Sequence, residues 1–252
     1  MPRISVVIIT KNEERNIERC LISVTEIADE IIVLDSFSSD QTQAICSRYP
    51  VTFIQRDWAG YSPTKNYANS LAQGDYILSL DADEALSPEL ITELAALKPN
   101  LNGVYEVARR MNYCGKWITH GGWYPDRKKR LFPKEHARWD DQEVHEDLVL
   151  DKGVDVHKLK GDLLHYSYYT VAEHIERGIR YTDLAARQLM NKSSTSLLVK
   201  SLFSPFTRVI RDYIFRAGFL DGTYGLLIAL ITGREVYWKY SKALKLKHSS
   251  GV

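Results

Sequence analysis

The first hundred positions alternate between short apolar runs and stretches in which apolar residues recur every three or four places. Residues 3–10 hold the β-branched run Ile4-Ser5-Val6-Val7-Ile8-Ile9, which reads as a buried strand. Residues 14–25 place Ile17, Leu21, Ile22 and Val24 at helical spacing. A second buried strand at 30–35 ends in Asp35, and a third follows at 51–55. Between them Ser39 or Asp40 is placed to cap a helix through Arg48. Ser62-Pro63 opens a helix through Ala72, with proline in the first turn, where its missing N–H costs nothing. A fourth strand at 75–80 runs into Asp81-Ala82-Asp83-Glu84, and Ser87-Pro88 starts another helix to about residue 97.

Strands alternating with helices of this length predict an α/β fold with a mostly parallel central sheet and helices on both faces. Ligands of such sheets bind outside the carboxyl ends of the strands. Those ends carry Thr10-Lys11-Asn12-Glu13, Asp35-Ser36 and Asp81-Ala82-Asp83. The pattern changes over 103–168, where short β-prone runs, many aromatics and turns such as Gly121-Gly122 and Tyr124-Pro125-Asp126 predict antiparallel strands and a long loop finishing the same domain. A helix is predicted over 171–191, and a basic, aromatic tail begins beyond Ser193.

Composition narrows the classes. With 252 residues, 44% hydrophobic and 26% charged, the chain buries a substantial core and is not disordered. Its net charge of +1 hides an asymmetry: the tail from residue 197 to 248 has nine basic residues against Asp212, Asp221 and Glu235, a net +6, and the rest of the chain is −5. No apolar run reaches the roughly 18–20 residues of a spanning helix. Cys20, Cys46 and Cys114 are odd in number and widely spaced, so they predict reduced thiols in a cytoplasmic chain. The N-terminal run turns polar at Lys11, too soon for a signal peptide. There is no Walker loop, HExxH helix or nucleophile elbow, and the apolar, aromatic character of the basic tail argues against nucleic acid.

Asp81 and Asp83, one residue apart after an apolar strand, suit a Mg²⁺ or Mn²⁺ ion shared with phosphate oxygens; an acidic helix-capping turn has the same spacing. Asp35 is placed to accept from ribose hydroxyls or a base imide, or to close a turn. Glu143, Glu146 and Asp147, in Asp140-Asp-Gln-Glu-Val-His-Glu-Asp147, are candidate general bases or a solvated acidic loop. His165 is either a metal ligand or a satisfied core histidine, and His145 either orients Glu146 or sits in a turn. Trp58, Trp117, Trp123, Tyr124 and Trp139 divide between core packing and stacking on sugar faces. In the basic run 127–130, Arg130 has the better claim to a phosphate.

Taken together and in order, Ser5-Val-Val-Ile-Ile-Thr-Lys-Asn-Glu-Glu14, Ile31-Ile-Val-Leu-Asp-Ser-Phe-Ser-Ser-Asp40-Gln-Thr42, Lys65-Asn66 and Leu80-Asp-Ala-Asp-Glu84 resemble family 2 glycosyltransferases over residues 4–97. Arg130-Leu-Phe132, Val144-His-Glu-Asp147 and Leu164-His-Tyr-Ser167 look like the branch that includes lipopolysaccharide core glucosyltransferases. The resemblance implies a glycosyltransferase A-type nucleotide-binding fold, a nucleotide-sugar donor with UDP foremost, a divalent metal, Mg²⁺ or Mn²⁺, and inversion at the anomeric carbon. It puts Thr10, Asn12 and Glu13 in the nucleotide pocket, Asp35 on uracil or ribose, Lys65 near the diphosphate, and Asp81 on ribose or sugar. Asp83 would hold the metal with His165, and Glu146 would be the base, with Asp147 second. Ser36-Phe37 departs from the family, which often has a glycine there.

On this reading residues 1–192 are the catalytic domain, with a nucleotide-sugar half to about 100 and an acceptor half from about 101, and 193–252 are a helical, basic, amphipathic extension. Such helices lie in anionic membrane interfaces, each basic residue contributing about 1 kcal/mol; a hairpin packed on the catalytic domain or an oligomer contact would have the same composition. The expected enzyme transfers a sugar to a lipid-anchored glycan, such as lipopolysaccharide inner core, at the cytoplasmic face of a bacterial inner membrane. The alternatives are transfer to a polyprenyl phosphate and a non-catalytic nucleotide-sugar-binding protein. A nucleotidyltransferase would need a glycine-rich loop where Thr10-Lys-Asn-Glu-Glu14 stands.

Overall fold

A computed structural model describes residues 1–140 and 147–249. The chain forms two compact units, one of residues 1–109 and 126–166, the other of residues 110–125 and 167 onward.

In the first unit, β1 (Ile4–Thr10), β2 (Glu30–Asp35), β3 (Thr52–Gln55) and β4 (Tyr76–Asp81) pair in parallel in the order β3-β2-β1-β4. Every residue of β1 is buried, as expected for a parallel strand covered on both faces. The pleat divides the apolar side chains between two cores. Ile4, Val6 and Ile8 join Ile17, Leu21 and Val24 of α1 (Ile17–Val24) and Leu90 and Leu94 of α4 (Pro88–Leu97). Val7 and Ile9 join Ala68 of α3 (Tyr61–Leu71) and Phe132 on the other face. Burying each such side chain stabilises the fold by roughly 1.5–3 kcal/mol.

Beyond β4 the sheet turns antiparallel. β5 (Glu84–Leu86), β6 (Val104–Tyr113), β8 (Asp126–Pro133) and β11 (Val156–Tyr168) continue it in the order β4-β8-β6-β11-β5. This matches the antiparallel middle expected from the sequence. The strand β5 was not anticipated. It pairs Glu84 with His165 and Leu86 with Leu163 of β11, so its extended form depends on a partner about eighty residues away. The second helix, α2 (Thr42–Cys46), is shorter than expected; Asp40 does help start it, accepting from Thr42 N at 3.0 Å. A small hairpin pairs β9 (Ala137–Trp139) with β10 (Leu148–Leu150) on either side of residues 141–146.

In the second unit, β7 (Lys116–Ile118) pairs with the end of β6, and α5 (Val171–Gln188), α6 (Ser194–Ile210) and α7 (Gly222–Ser249) follow. A capping box between Thr170 and Glu173 starts α5. Helix α5 packs on α7, and His174, Gly178, Thr182 and Ala186, four apart, form its buried face. Helices α6 and α7 meet at a 73° bend; among the described residues no single helix is long and apolar enough to cross a membrane, but this bent pair passes that test together. Gly225 permits the bend, since a Cβ there would fall 1.8 Å from Gly218 O.

His174 lies in an aromatic cluster with Tyr113, Trp123 and Tyr168, which makes Trp123 a packing residue. The Tyr113 hydroxyl is 2.9 Å from His174 Nδ1, and Glu235 faces Nε2 at 3.7 Å. Burial, then the Arg177 charge, lowers the His174 pKa to about 4 from its ordinary 6.5. Between those values the unfolded chain holds a proton that the folded chain does not. The stability due to His174 is therefore complete above about pH 6.5 and is lost as pH falls toward 4, by up to about 3 kcal/mol. Melting curves recorded from pH 7.5 to 4.5 should show this decline, and His174→Phe should blunt it.

Candidate active site

Parallel pairing brings three polar side chains to one edge. Thr10 is in register with Asp35, and its neighbour Ile9 with Asp81, so Thr10, Asp35 and Asp81 line the carboxyl ends of β1, β2 and β4. Asp35 is fully buried. It accepts from Ser38 N at 2.9 Å, Ser38 Oγ at 2.5 Å and Gln55 Nε2 at 3.0 Å. The Thr10 hydroxyl is buried and has no hydrogen-bond partner among the described residues, so a polar ligand here would relieve a desolvated group. Asn12 has a φ of 55° and braces the neighbouring loop, its amide donating to Ser38 Oγ at 2.7 Å and its side-chain oxygen accepting from Ser39 N at 2.8 Å. Glu13 accepts from Asn16 Nδ2 at 2.7 Å and donates its amide to Thr42 Oγ1 at 2.8 Å. Phe37, at the position where a glycine was expected, has a φ of 56° and an exposed side chain; the left-handed backbone explains why glycine suits that place.

The two aspartates after β4 have different surroundings. Asp81 lies 3.1 Å from Lys65 Nζ and 2.9 Å from an Arg130 nitrogen. The same nitrogen of Arg130 reaches Glu84 at 2.5 Å, Arg109 is 3.5 Å from Glu84, and Arg109 binds Asp126 at 2.6 Å. Three cations thus interleave with three carboxylates. Burial would raise the Asp81 pKa, but the charges of Lys65 and Arg130 hold it well below the usual carboxylate range. Arg130 is pushed up from its ordinary value: burial opposes its charge, and Glu84 and Asp81 outweigh that.

Asp83 stands outside this network. Its Oδ2 is 3.0 Å from His165 Nε2, and its backbone oxygen accepts from Tyr166 N at 2.9 Å. The side chains of Asp83 and His165 are 21% and 10% exposed, open enough to admit a ligand. A carboxylate oxygen beside an imidazole nitrogen is a donor pair that fits Mn²⁺ or Mg²⁺ completed by phosphate oxygens and water. Among the described residues no three His, Cys, Asp or Glu side chains gather as a metal cluster.

Several expected residues are placed differently from the sequence reading. Arg130, expected at a phosphate, is buried against Asp81 and Glu84, because the strand pleat turns it inward between β4 and β6. Lys65 is also buried, 4.7 Å from the Trp139 ring, and Trp139 is a core residue. Asn66 holds the backbone of Trp139 through two hydrogen bonds of 2.9 Å, fixing the chain just before the acidic segment. Glu143, His145 and Glu146 lie outside the described residues. Asp147 is 3.1 Å from Lys129 Nζ with its side chain 73% exposed; slight burial would raise its pKa, but the Lys129 hydrogen bond lowers it. Glu84, Arg109 and Asp126 were missed by the sequence reading. The only signal was a third acid, Glu84, in an otherwise solvent-seeking quartet.

The family model for glycosyl transferase family 2 matches residues 5–147. This chain belongs to that family. The glycosyltransferase is 30% identical to the lipopolysaccharide core biosynthesis glycosyltransferase LpsC of Rhizobium meliloti, covering 94% of this chain and 93% of that protein. It is 27% identical to an uncharacterized glycosyltransferase of Rickettsia typhi, covering 99% and 89%. Among solved structures it resembles S. aureus TarS in complex with UDP-GlcNAc, at a TM-score of 0.49 and 14% identity, over 99% of this chain and 92% of that one.

The ion network makes Glu84 the structural weak point of the site. Glu84→Gln leaves Arg130 and Arg109 short of a buried counter-charge, which should destabilise the glycosyltransferase by about 3–5 kcal/mol. Denaturant unfolding measures this, and a loss under 1 kcal/mol would contradict the network's role.

Proposed function

We propose that the enzyme is an inverting glycosyltransferase that moves a sugar from a UDP-sugar to a lipid-anchored glycan such as lipopolysaccharide inner core. The observation that carries this reading is the division of labour at the carboxyl edge of the sheet: Thr10, Asp35 and Asp81 in one row, with the Asp83–His165 pair beside them. In this reading Asp35 accepts from the uracil or ribose, and Thr10, Asn12 and Glu13 shape the pocket around the nucleoside. Lys65 and Arg130 keep Asp81 ionised and oriented, so that it accepts from ribose or sugar hydroxyls without needing to move. Asp83 and His165 would hold Mg²⁺ or Mn²⁺. When bound, that ion supplies charge stabilisation for the departing diphosphate.

Inversion is a single displacement. The acceptor oxygen bonds to the anomeric carbon as the bond from that carbon to the diphosphate breaks, and a carboxylate takes the acceptor's proton. Glu146, in the Val144-His-Glu motif, is the proposed base, with Asp147 second. The identity to LpsC over nearly the whole chain supports a lipopolysaccharide core acceptor. The basic helical extension supports peripheral attachment at the cytoplasmic face of the inner membrane, where a lipid-anchored acceptor is presented.

Release of nucleotide from UDP-, GDP-, dTDP- and ADP-sugars, with and without Mn²⁺ or Mg²⁺, tests this reading without knowledge of the acceptor. One UDP-sugar should turn over in a metal-dependent way. Asp83→Ala should lower that rate by about a hundredfold or more, and Glu146→Gln should lower transfer to a glycan by about 10²–10⁴-fold. Neither turnover nor nucleotide binding in the wild type would sink the proposal. Transfer to polyprenyl phosphate in place of a glycan would replace the acceptor.

A further inference from the structure

The bend between α6 and α7 combines two features that a water-facing surface does not explain. The first is apolar exposure. Phe215 is 80% exposed, Phe206 70%, Phe203 65%, Leu220 59%, Ile214 56% and Phe219 49%, clustered on the outward side of α6 and on the turns that follow it. A contiguous apolar face of this kind marks an interaction surface. The second is unbalanced charge at its base. One buried carboxylate, Asp212, gathers three guanidinium groups, with Arg208 Nε against Oδ2, Arg211 Nε at 2.8 Å and Arg216 at 3.4 Å. Those three arginine side chains remain 34%, 44% and 46% exposed, so two positive charges are left facing outward beside the aromatics.

The remaining acids of this segment do not offset them. Asp221 is buried, and Glu235 is turned toward His174. An apolar tip collared by arginines is complementary to a bilayer whose surface carries phosphate and net negative charge. A second copy of the chain would bring the same cationic collar and meet repulsion.

The turn also carries a loop. Asp221 accepts from His120 N at 2.8 Å and from Thr119 N and Oγ1 at 3.3 and 3.2 Å, and Lys116 Nζ donates to its backbone oxygen at 2.8 Å. Gly121 N donates to Arg216 O at 2.9 Å. This loop continues through Tyr124-Pro125 into β8, the strand that carries Arg130.

We propose that the bend spanning residues 211–221 enters the margin of an anionic phospholipid bilayer, Phe215, Phe219 and Leu220 leading and Arg208, Arg211 and Arg216 binding lipid phosphates, and that lipid contact orders the Thr119–Gly121 loop through Asp221 and Arg216. The helices do not cross the bilayer; they anchor in one leaflet. This deepens the membrane attachment proposed above and rests on it.

Flotation of the full chain with vesicles of phosphatidylcholine alone, or of phosphatidylcholine and phosphatidylglycerol in equal parts, tests the assignment. The wild type should float with the anionic vesicles only. The double variants Phe215→Ser/Phe219→Ser and Arg211→Gln/Arg216→Gln should each lose at least about tenfold in partitioning, and amide exchange at His120 and Gly121 should slow on anionic vesicles in the wild type alone. Metal-dependent donor hydrolysis in solution is read in parallel and should be unchanged in both variants, which also reports that they fold. Absence of that hydrolysis in every form would defeat the transferase reading and leave the flotation result standing. Equal flotation of wild type and variants would overturn the proposal. So would unchanged exchange in the loop, or a vesicle-independent dimer that Phe215→Ser/Phe219→Ser abolishes.

Discussion

Asp81, only partly exposed, stays ionised because Lys65 and Arg130 stand against it, and the rest of the site is arranged around that fact. Without them, desolvation alone would raise its pKa. Two cations need further counter-charge of their own, and Glu84 supplies it to Arg130 while Asp126 closes the chain at Arg109. Such a network contributes little net stability compared with apolar packing of similar volume. What it contributes is position. Residues from α3, β4, β5, β6 and β8 are tied to one carboxylate.

That constraint separates the roles of two aspartates one residue apart. Asp81 is held between two cations, Lys65 and Arg130. Asp83 faces an imidazole, with no lysine or arginine in the network directed at it. The difference arises from β5. Pairing Glu84 with His165 brings the imidazole to the Asp83 side of the turn and keeps Glu84 under Arg130. A three-residue strand that would not persist alone thereby gives the two acids different neighbours, cations for Asp81 and an imidazole for Asp83.

The second unit applies the same economy to a different purpose. Asp212 and Asp221, nine residues apart, are both buried acids with several donors. Asp212 collects arginines and shapes the outside of the bend; Asp221 collects backbone amides and shapes the inside. The tail's net charge was evident from composition, but composition counts these two acids as offsets to the basic residues. Asp212 is spent on three arginines at once and Asp221 on backbone amides, so the acids do not balance the arginines of the bend one for one.

The sequence alone determined the Rossmann-like first half, because β-branched runs of six or seven residues buried on both faces have few alternatives, and it placed Thr10, Asp35 and Asp81 at strand ends for the same reason. The motifs were sufficient to indicate a family 2 glycosyltransferase. Tertiary structure decided what local pattern cannot encode. Arg130 sits in a run of four basic residues, and only the pleat of β8 between β4 and β6 shows that it points inward. Glu84 looks like one acid among three until β11 pairs with it. Helix α5 reads as the end of the catalytic domain until its small residues are seen packed on α7. In each case the deciding partner lies dozens of residues away, and the energy of that contact, rather than any local propensity, fixes what the residue does.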